Sequence, residues 1–208
     1  MMVADHLTYP EALARLYPDE WAPPPRPAPL SSALTVGVAG HPYCLYDDYI
    51  NHDFLSRLRG LGVHALTSEM VSTEDALAGI QRTTGKTLWF YENCMSGAAG
   101  HFLHLPEVDG LINVLAFACG PDSTMVETIT RRAHALGRSC LNLVLDEHGS
   151  AAGMVTRLEA FVDMLARQKH IPRSETASSL EADPAAQPKP QPPPSPPAVL
   201  REIHKPVL

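Results

Sequence analysis

The 208-residue sequence is poor in the patterns that usually announce a function. It lacks an excess of positive charge: 16 lysines and arginines face 23 aspartates and glutamates, for a formal net charge of −7. A nucleic-acid partner, which needs a basic face, is therefore not expected. No apolar run approaches the ~20 residues that cross a bilayer. The first 30 residues hold no continuous apolar h-region, so neither a membrane partner nor a secretory signal is expected. Four cysteines, at 44, 94, 119 and 140, form no C-x-x-C pair and no zinc-ribbon spacing. Disulfides are not expected, and a reducing cytoplasm is the default location. Neither G-x-G-x-x-G nor G-K-[ST] occurs, and Gly40-His41-Pro42 is no phosphate loop, so nucleotide binding has no support in the sequence.

Proline is abundant but badly distributed for a folded chain. Of 20 prolines, seven lie in residues 1–30 and ten in 171–208, leaving only Pro42, Pro106 and Pro121 between. This predicts a proline-rich head at 1–30, with one short helix around Tyr9–Tyr17. A folded domain at 31–170 follows, then a disordered proline-rich tail at 171–208. The apolar residues in the last stretch, Ala198 to Leu208, read as a frayed end rather than a docking peptide.

Within 31–170 short apolar strands alternate with helical patterns. Strands are expected at Leu34–Ala39, Gly62–Leu66, Lys86–Tyr91, Leu111–Ala118 and Cys140–Leu145. Helices are expected at Tyr49–Arg59, from Ser72, at Ala98–Leu105, at Ser123–Leu136 and at Val155–Leu165. Five strands alternating with five helices imply a single α/β domain with a doubly wound, mostly parallel sheet of the Rossmann-like or flavodoxin-like kind. Leu111 to Ala118, continuously apolar, is the central strand.

Right-handed crossovers place every strand-to-helix loop on one rim, where open α/β sheets bind ligands. The residues brought there are His41, Tyr43, Cys44, Tyr46, Asp47, Asn51, Cys119, Asp122, Ser123, Asp146, Glu147 and His148. Cys119, at the end of the central strand and before a helix, is the residue best placed for chemistry. A thiol there can bind metal or be activated by the helix N-terminus, or can simply pack. Asp146-Glu147-His148 could supply metal ligands or an acid/base pair, or could cap the last helix with its neighbours solvated. Asp47 and Asp48 read as charges at a helix N-terminus.

Three segments taken together carry a resemblance. Val36-Gly37-Val38-Ala39-Gly40-His41-Pro42-Tyr43-Cys44-Leu45-Tyr46-Asp47, with Tyr49-Ile50-Asn51, is similar to a G-x-P-Y-N-x-Y-D…x-I-N segment. Phe117-Ala118-Cys119-Gly120-Pro121-Asp122-Ser123 is similar to F-x-C-G-P-D-S. Leu145-Asp146-Glu147-His148 through Phe161 is similar to I-D-E-H…A-G-x-x-T-R-L-E-A-F. In order and over residues 33–167, these resemble the CoA protein activase group, the acyl-CoA dehydratase activase-related proteins akin to 2-hydroxyacyl-CoA dehydratase subunits.

The resemblance implies a Rossmann-like domain with Cys119 as ligand of an iron–sulfur cluster of the [4Fe-4S] type, backed by Gly120, Asp122 and Ser123. Thiolates are what such clusters require, several at a time. Cys44 stands where the family carries Asn, and Cys94 lies in a poorly matching segment. Either these two substitute, or a partner subunit (or a second copy) supplies the other ligands. The function so implied is that of an accessory or electron-transfer component of a CoA-ester dehydratase system. Two other readings stand beside it: a binding module that has lost the cluster, and a mononuclear metal hydrolase using His41, Asp146 and His148.

Overall fold

A computed structural model of the chain describes residues 2–5, 7–18, 34–86, 88–146, 149 and 151–170. Residues 19–33, with most of the head's prolines, and the whole expected tail lie outside the described residues, as do Glu147, His148 and Ser150.

The head begins with two short helices, α1 (Met2–Asp5) and α2 (Tyr9–Leu16). Thr8 and Glu11 close α2 with a reciprocal capping box, in which Thr8 N–H donates to Glu11 Oε2 at 2.8 Å. Leu7, Ala12 and Ala14 are buried, so the head packs on the domain.

Four strands form one sheet: β1 (Leu34–Gly40), β2 (Val63–Thr67), β3 (Gly110–Ala116) and β4 (Ser139–Leu145). Their order is β2-β1-β3-β4 and every neighbouring pair is parallel. Helices cover both faces. On one face α3 (Pro42–Tyr46), α4 (Asp48–Asn51), α5 (Phe54–Gly60) and α9 (Ala151–His170) flank a cluster built on Val36, Val38, Ile112, Val114 and Leu143. On the other, α7 (Phe90–Phe102) and α8 (Gly120–Ala135) close over Ala39, Leu66, Leu111 and Leu115. β3 is buried along nearly its whole length, as a strand covered on both faces must be.

Among the described residues the expected fifth strand is not seen. Leu88 and Trp89 lead into α7, whose first residues are Phe90 and Tyr91, and the helix expected from Ala98 starts eight residues earlier. A run of four apolar residues carries no period that separates strand from helix entry. Here it has no neighbouring strand to pair with, and Leu88, Trp89, Phe90 and Tyr91 are all exposed. The single helix expected over Tyr49–Arg59 is also two. His52 and Asp53, at φ of 53° and 60°, adopt the left-handed conformation and break it. Buried Asn51 locks that corner, donating to Leu45 C=O at 2.8 Å and accepting from Phe54 N–H at 3.1 Å.

Outside α7 lies α6 (Thr73–Thr83), capped by Ser72, whose hydroxyl accepts from Asp75 N–H. The two helices touch through backbone. A Cβ on Gly79 would run into the Gly97 carbonyl, one on Gly100 into Gly79, and one on Gly97 would lie 2.6 Å from Ala76 O.

Candidate functional site

In an open parallel sheet, ligands bind where successive connections leave for opposite faces. With the order β2-β1-β3-β4 that point is the crevice between β1 and β3. His41 follows β1 directly, and Cys119 and Asp122 follow β3. The chain turns sharply out of β3 because Ala118, not a glycine, takes φ 61°. That turn sets Cys119 at the N-cap of α8 and Asp122 in the helix's first turn.

Asp122 is fully buried, and its side chain reaches back across the crevice. Its Oδ1 meets His41 Nε2 at 2.8 Å, and His41 is itself only 7% exposed. Asp122 Oδ2 is buried and has no hydrogen-bond partner among the described residues. One donor atom from each of His41, Cys119 and Asp122 lies within 4.8 Å of the others. The imidazole is walled by two phenol rings, Tyr43 at 5.3 Å and Tyr91 at 5.0 Å between centroids. Next to Tyr91, Glu92 is buried in the first turn of α7.

Two influences compete at the Cys119 thiol. The N-terminus of a helix lowers a thiol pKa, and the Asp122 N–H acts in that direction here. Desolvation, the Asp122 carboxylate and the Glu92 charge push the other way, and the net result is a thiol held above its ordinary value. The imidazole's hydrogen bond goes to the Asp122 carboxylate, which also acts on the sulfur, and no hydrogen bond among the described residues joins imidazole and thiol. A cysteine nucleophile needs the imidazole next to the thiol. This arrangement suits three donors facing a common point better than it suits an activated nucleophile.

The remaining expected residues divide clearly. Tyr43 lines the site, its phenol pushed up to about 12 by desolvation, then by Cys44, Asp122 and Cys119. Cys44 is buried behind it on α3, near enough that the Cys119 and Asp122 charges act on its thiol. Gly120 starts α8 with open space where a side chain would be. Ser123 is no helix cap, since its hydroxyl donates to Cys119 C=O at 2.8 Å. Tyr46 points away and donates to Glu69 Oε2 at 2.9 Å, fastening α3 to the end of β2. Asp47 caps α4 through Tyr49 and Ile50 N–H, and Asn51 is the corner lock already described. Asp146 is exposed at the end of β4 and does not join the His41 group, while Glu147 and His148 lie outside the described residues. Tyr91 and Glu92 were not expected at the rim. The only sequence signal was an acidic residue three positions after Trp89, at the start of a helical stretch.

The other two cysteines are not part of the His41–Cys119–Asp122 group. Cys94 lies further along α7, its thiol raised by burial and by Glu69. Cys140 pairs in register with Leu111, five residues below the end of β3, about 16 Å down the strand. Asn113 Nδ2 donates to its sulfur at 3.3 Å. The donors do not fit an iron–sulfur cluster held by this chain, because one thiolate at the crevice, with a buried second behind it, is too few.

Burial pushes the Cys44 and Cys140 thiols up to about 11. Their unfolded value is 9.0, so between pH 9 and 11 the unfolded chain loses protons that the folded chain keeps. The contribution of these two thiols is fully present below pH 9 and is lost as pH rises toward 11, by on the order of 2 kcal/mol for each. Urea midpoints at pH 8 and pH 11 check this, and Cys140→Ala should lose less across the window than the parent. An equal loss in the two proteins would refute it.

Compared with protein-family models and with curated proteins, the chain finds no match in either.

Proposed function

We propose that the chain is an accessory component of the 2-hydroxyacyl-CoA dehydratase-like kind its motifs resemble, with the crevice between β1 and β3 as its working site and a partner subunit beside it. One observation carries this reading. The first two resemblance segments, His41-Pro42-Tyr43-Cys44 and Cys119-Gly120-Pro121-Asp122, meet at the switch point of the sheet through the His41–Asp122 contact. Residues 81 positions apart share one buried polar contact at the place where this architecture binds ligands.

The test is co-expression with the product of the neighbouring reading frame, followed by an anaerobic assay of water loss from a 2-hydroxyacyl thioester. Cys119→Ser and Asp122→Asn should each lower the rate at least about 100-fold, the order seen when a positioned polar group is removed. Full rates in both variants would overturn the reading.

The exposed aromatics favour a second reading, a binding module without chemistry of its own. Trp89, Phe90 and Phe117 are 65%, 74% and 66% exposed. Large exposed apolar side chains in one region mark interaction sites. Under this reading Trp89→Ser with Phe90→Ser abolishes partner capture, while Cys119→Ser leaves it intact.

A further inference from the structure

From the donor set at the crevice we infer that this chain, by itself, holds a single zinc-type divalent ion, with His41, Cys119 and Asp122 as its three ligands and a fourth position open to solvent or substrate. The assignment stands apart from the dehydratase reading, because it needs neither a partner nor a thioester.

Three features lead to it. The first is chemical type. One thiolate, one imidazole and one carboxylate form a mixed soft and borderline set that suits zinc or ferrous iron and is wrong for magnesium or calcium. Three protein ligands with one open position is the pattern of catalytic rather than structural sites. The second is geometry. The donor atoms lie within 4.8 Å of one another, and His41 and Asp122 are already 2.8 Å apart. In a tetrahedron of such bonds, the distance between nitrogen and oxygen donors is about 3.4 Å, so the site closes on an ion through small side-chain adjustments.

The third feature is an unmet electrostatic need. Asp122 is fully buried with Oδ2 unpartnered, and Glu92 is buried beside the same thiol. No described lysine or arginine forms an ion pair with either carboxylate. Burying carboxylates without a cation is costly, and here only one imidazole stands against them. A divalent ion meets that need, replacing the His41–Asp122 contact with a bond from each group to the metal. On binding, the Cys119 S–H bond breaks, its proton leaves to solvent, and a sulfur–metal bond forms, with no change of oxidation state.

The experiment uses the full chain, stripped with chelator and kept reduced by a phosphine. Titration with Co²⁺ should saturate at one ion per chain and show a near-ultraviolet thiolate-to-cobalt band, and Zn²⁺ should displace it mole for mole. Cys119→Ser should lose that band. Asp122→Asn should bind at least about 100-fold more weakly, beyond the usual cost of losing a mere supporting group. Cys94→Ser and Cys140→Ser should keep both band and stoichiometry. Cys119 is only half-buried, so a urea midpoint close to that of the parent establishes that Cys119→Ser is folded. Failure of Co²⁺ to saturate, survival of the band in Cys119→Ser, or assembly of a stable sulfide-containing chromophore by the chain alone would each overturn the inference. None of these results bears on partner-dependent activity, so the two proposals fail separately.

Discussion

Gly79→Ala should lower the free energy of unfolding by about 3 kcal/mol, at the upper end of the usual cost of overpacking. An ordinary helix surface gains stability from this substitution, because alanine is the better helix former by about 1 kcal/mol. The sign reverses here because the new methyl would meet the Gly97 carbonyl, with Gly97 C at 2.8 Å and His101 N at 3.0 Å behind it. These are backbone atoms and cannot swing aside as a side-chain tip can. The strain must be relieved by parting α6 from α7. Urea denaturation of the parent and the variant measures the loss, and a variant as stable as the parent would show that the helices separate freely. The effect should reach the crevice as well, since Tyr91 and Glu92 ride on α7. Co²⁺ affinity should fall together with stability.

His41→Ala should cost a similar amount, about 3 kcal/mol, for a different reason. Removing the hydrogen-bonding partner of a buried carboxylate leaves that carboxylate desolvated and uncompensated. Asp122 would then have neither oxygen paired, at a position with no exposure. The companion variant separates charge from packing. Asp122→Asn keeps the shape and removes the charge, so it should cost less than His41→Ala. Burial raises the Cys119 thiol most and the Asp122 carboxylate adds to it, so removing that charge should make the thiol alkylate faster at neutral pH. Iodoacetamide labelling followed by mass spectrometry reads the rate at each cysteine. A Cys119 rate that is unchanged in Asp122→Asn would mean the carboxylate does not govern the thiol.

The strands were largely legible because a parallel sheet buried on both faces leaves continuous apolar runs. β1, β2, β3 and β4 fall within two residues of the expected bounds, and Ser72 and Gly137 punctuate α6 and α8 as their chemistry dictates. The rim position of His41, Cys119 and Asp122 was legible for the same reason, since strand ends and crossover handedness fix it. Their pairing was not. Asp146 and Asp122 both follow strand ends, and only the strand order puts β3 rather than β4 beside β1. Strand order is settled by how whole faces pack, which no local pattern records. The contribution of α7 was hidden by Leu88-Trp89-Phe90-Tyr91, whose bulk reads as strand although it stands exposed at a helix entry. The break at His52 and Asp53 was not expected, although both residue types enter the left-handed region more readily than most. Their left-handed turn is imposed by the Asn51 lock and the packing of Phe54 beneath it.

The His41–Asp122 contact closes a loop of 81 residues. Closure of so long a loop is entropically costly and slow, and it must follow the pairing of β1 with β3. During synthesis His41 emerges long before its partner exists, so the centre is among the last features to form. The same dependence runs in reverse when the native state fluctuates. Any opening that parts β1 from β3 takes His41 away from Cys119 and Asp122, because His41 follows β1 and the other two follow β3. Metal uptake by this chain would thus report the pairing of β1 with β3, since a molecule in which they are parted offers only the two donors at the start of α8.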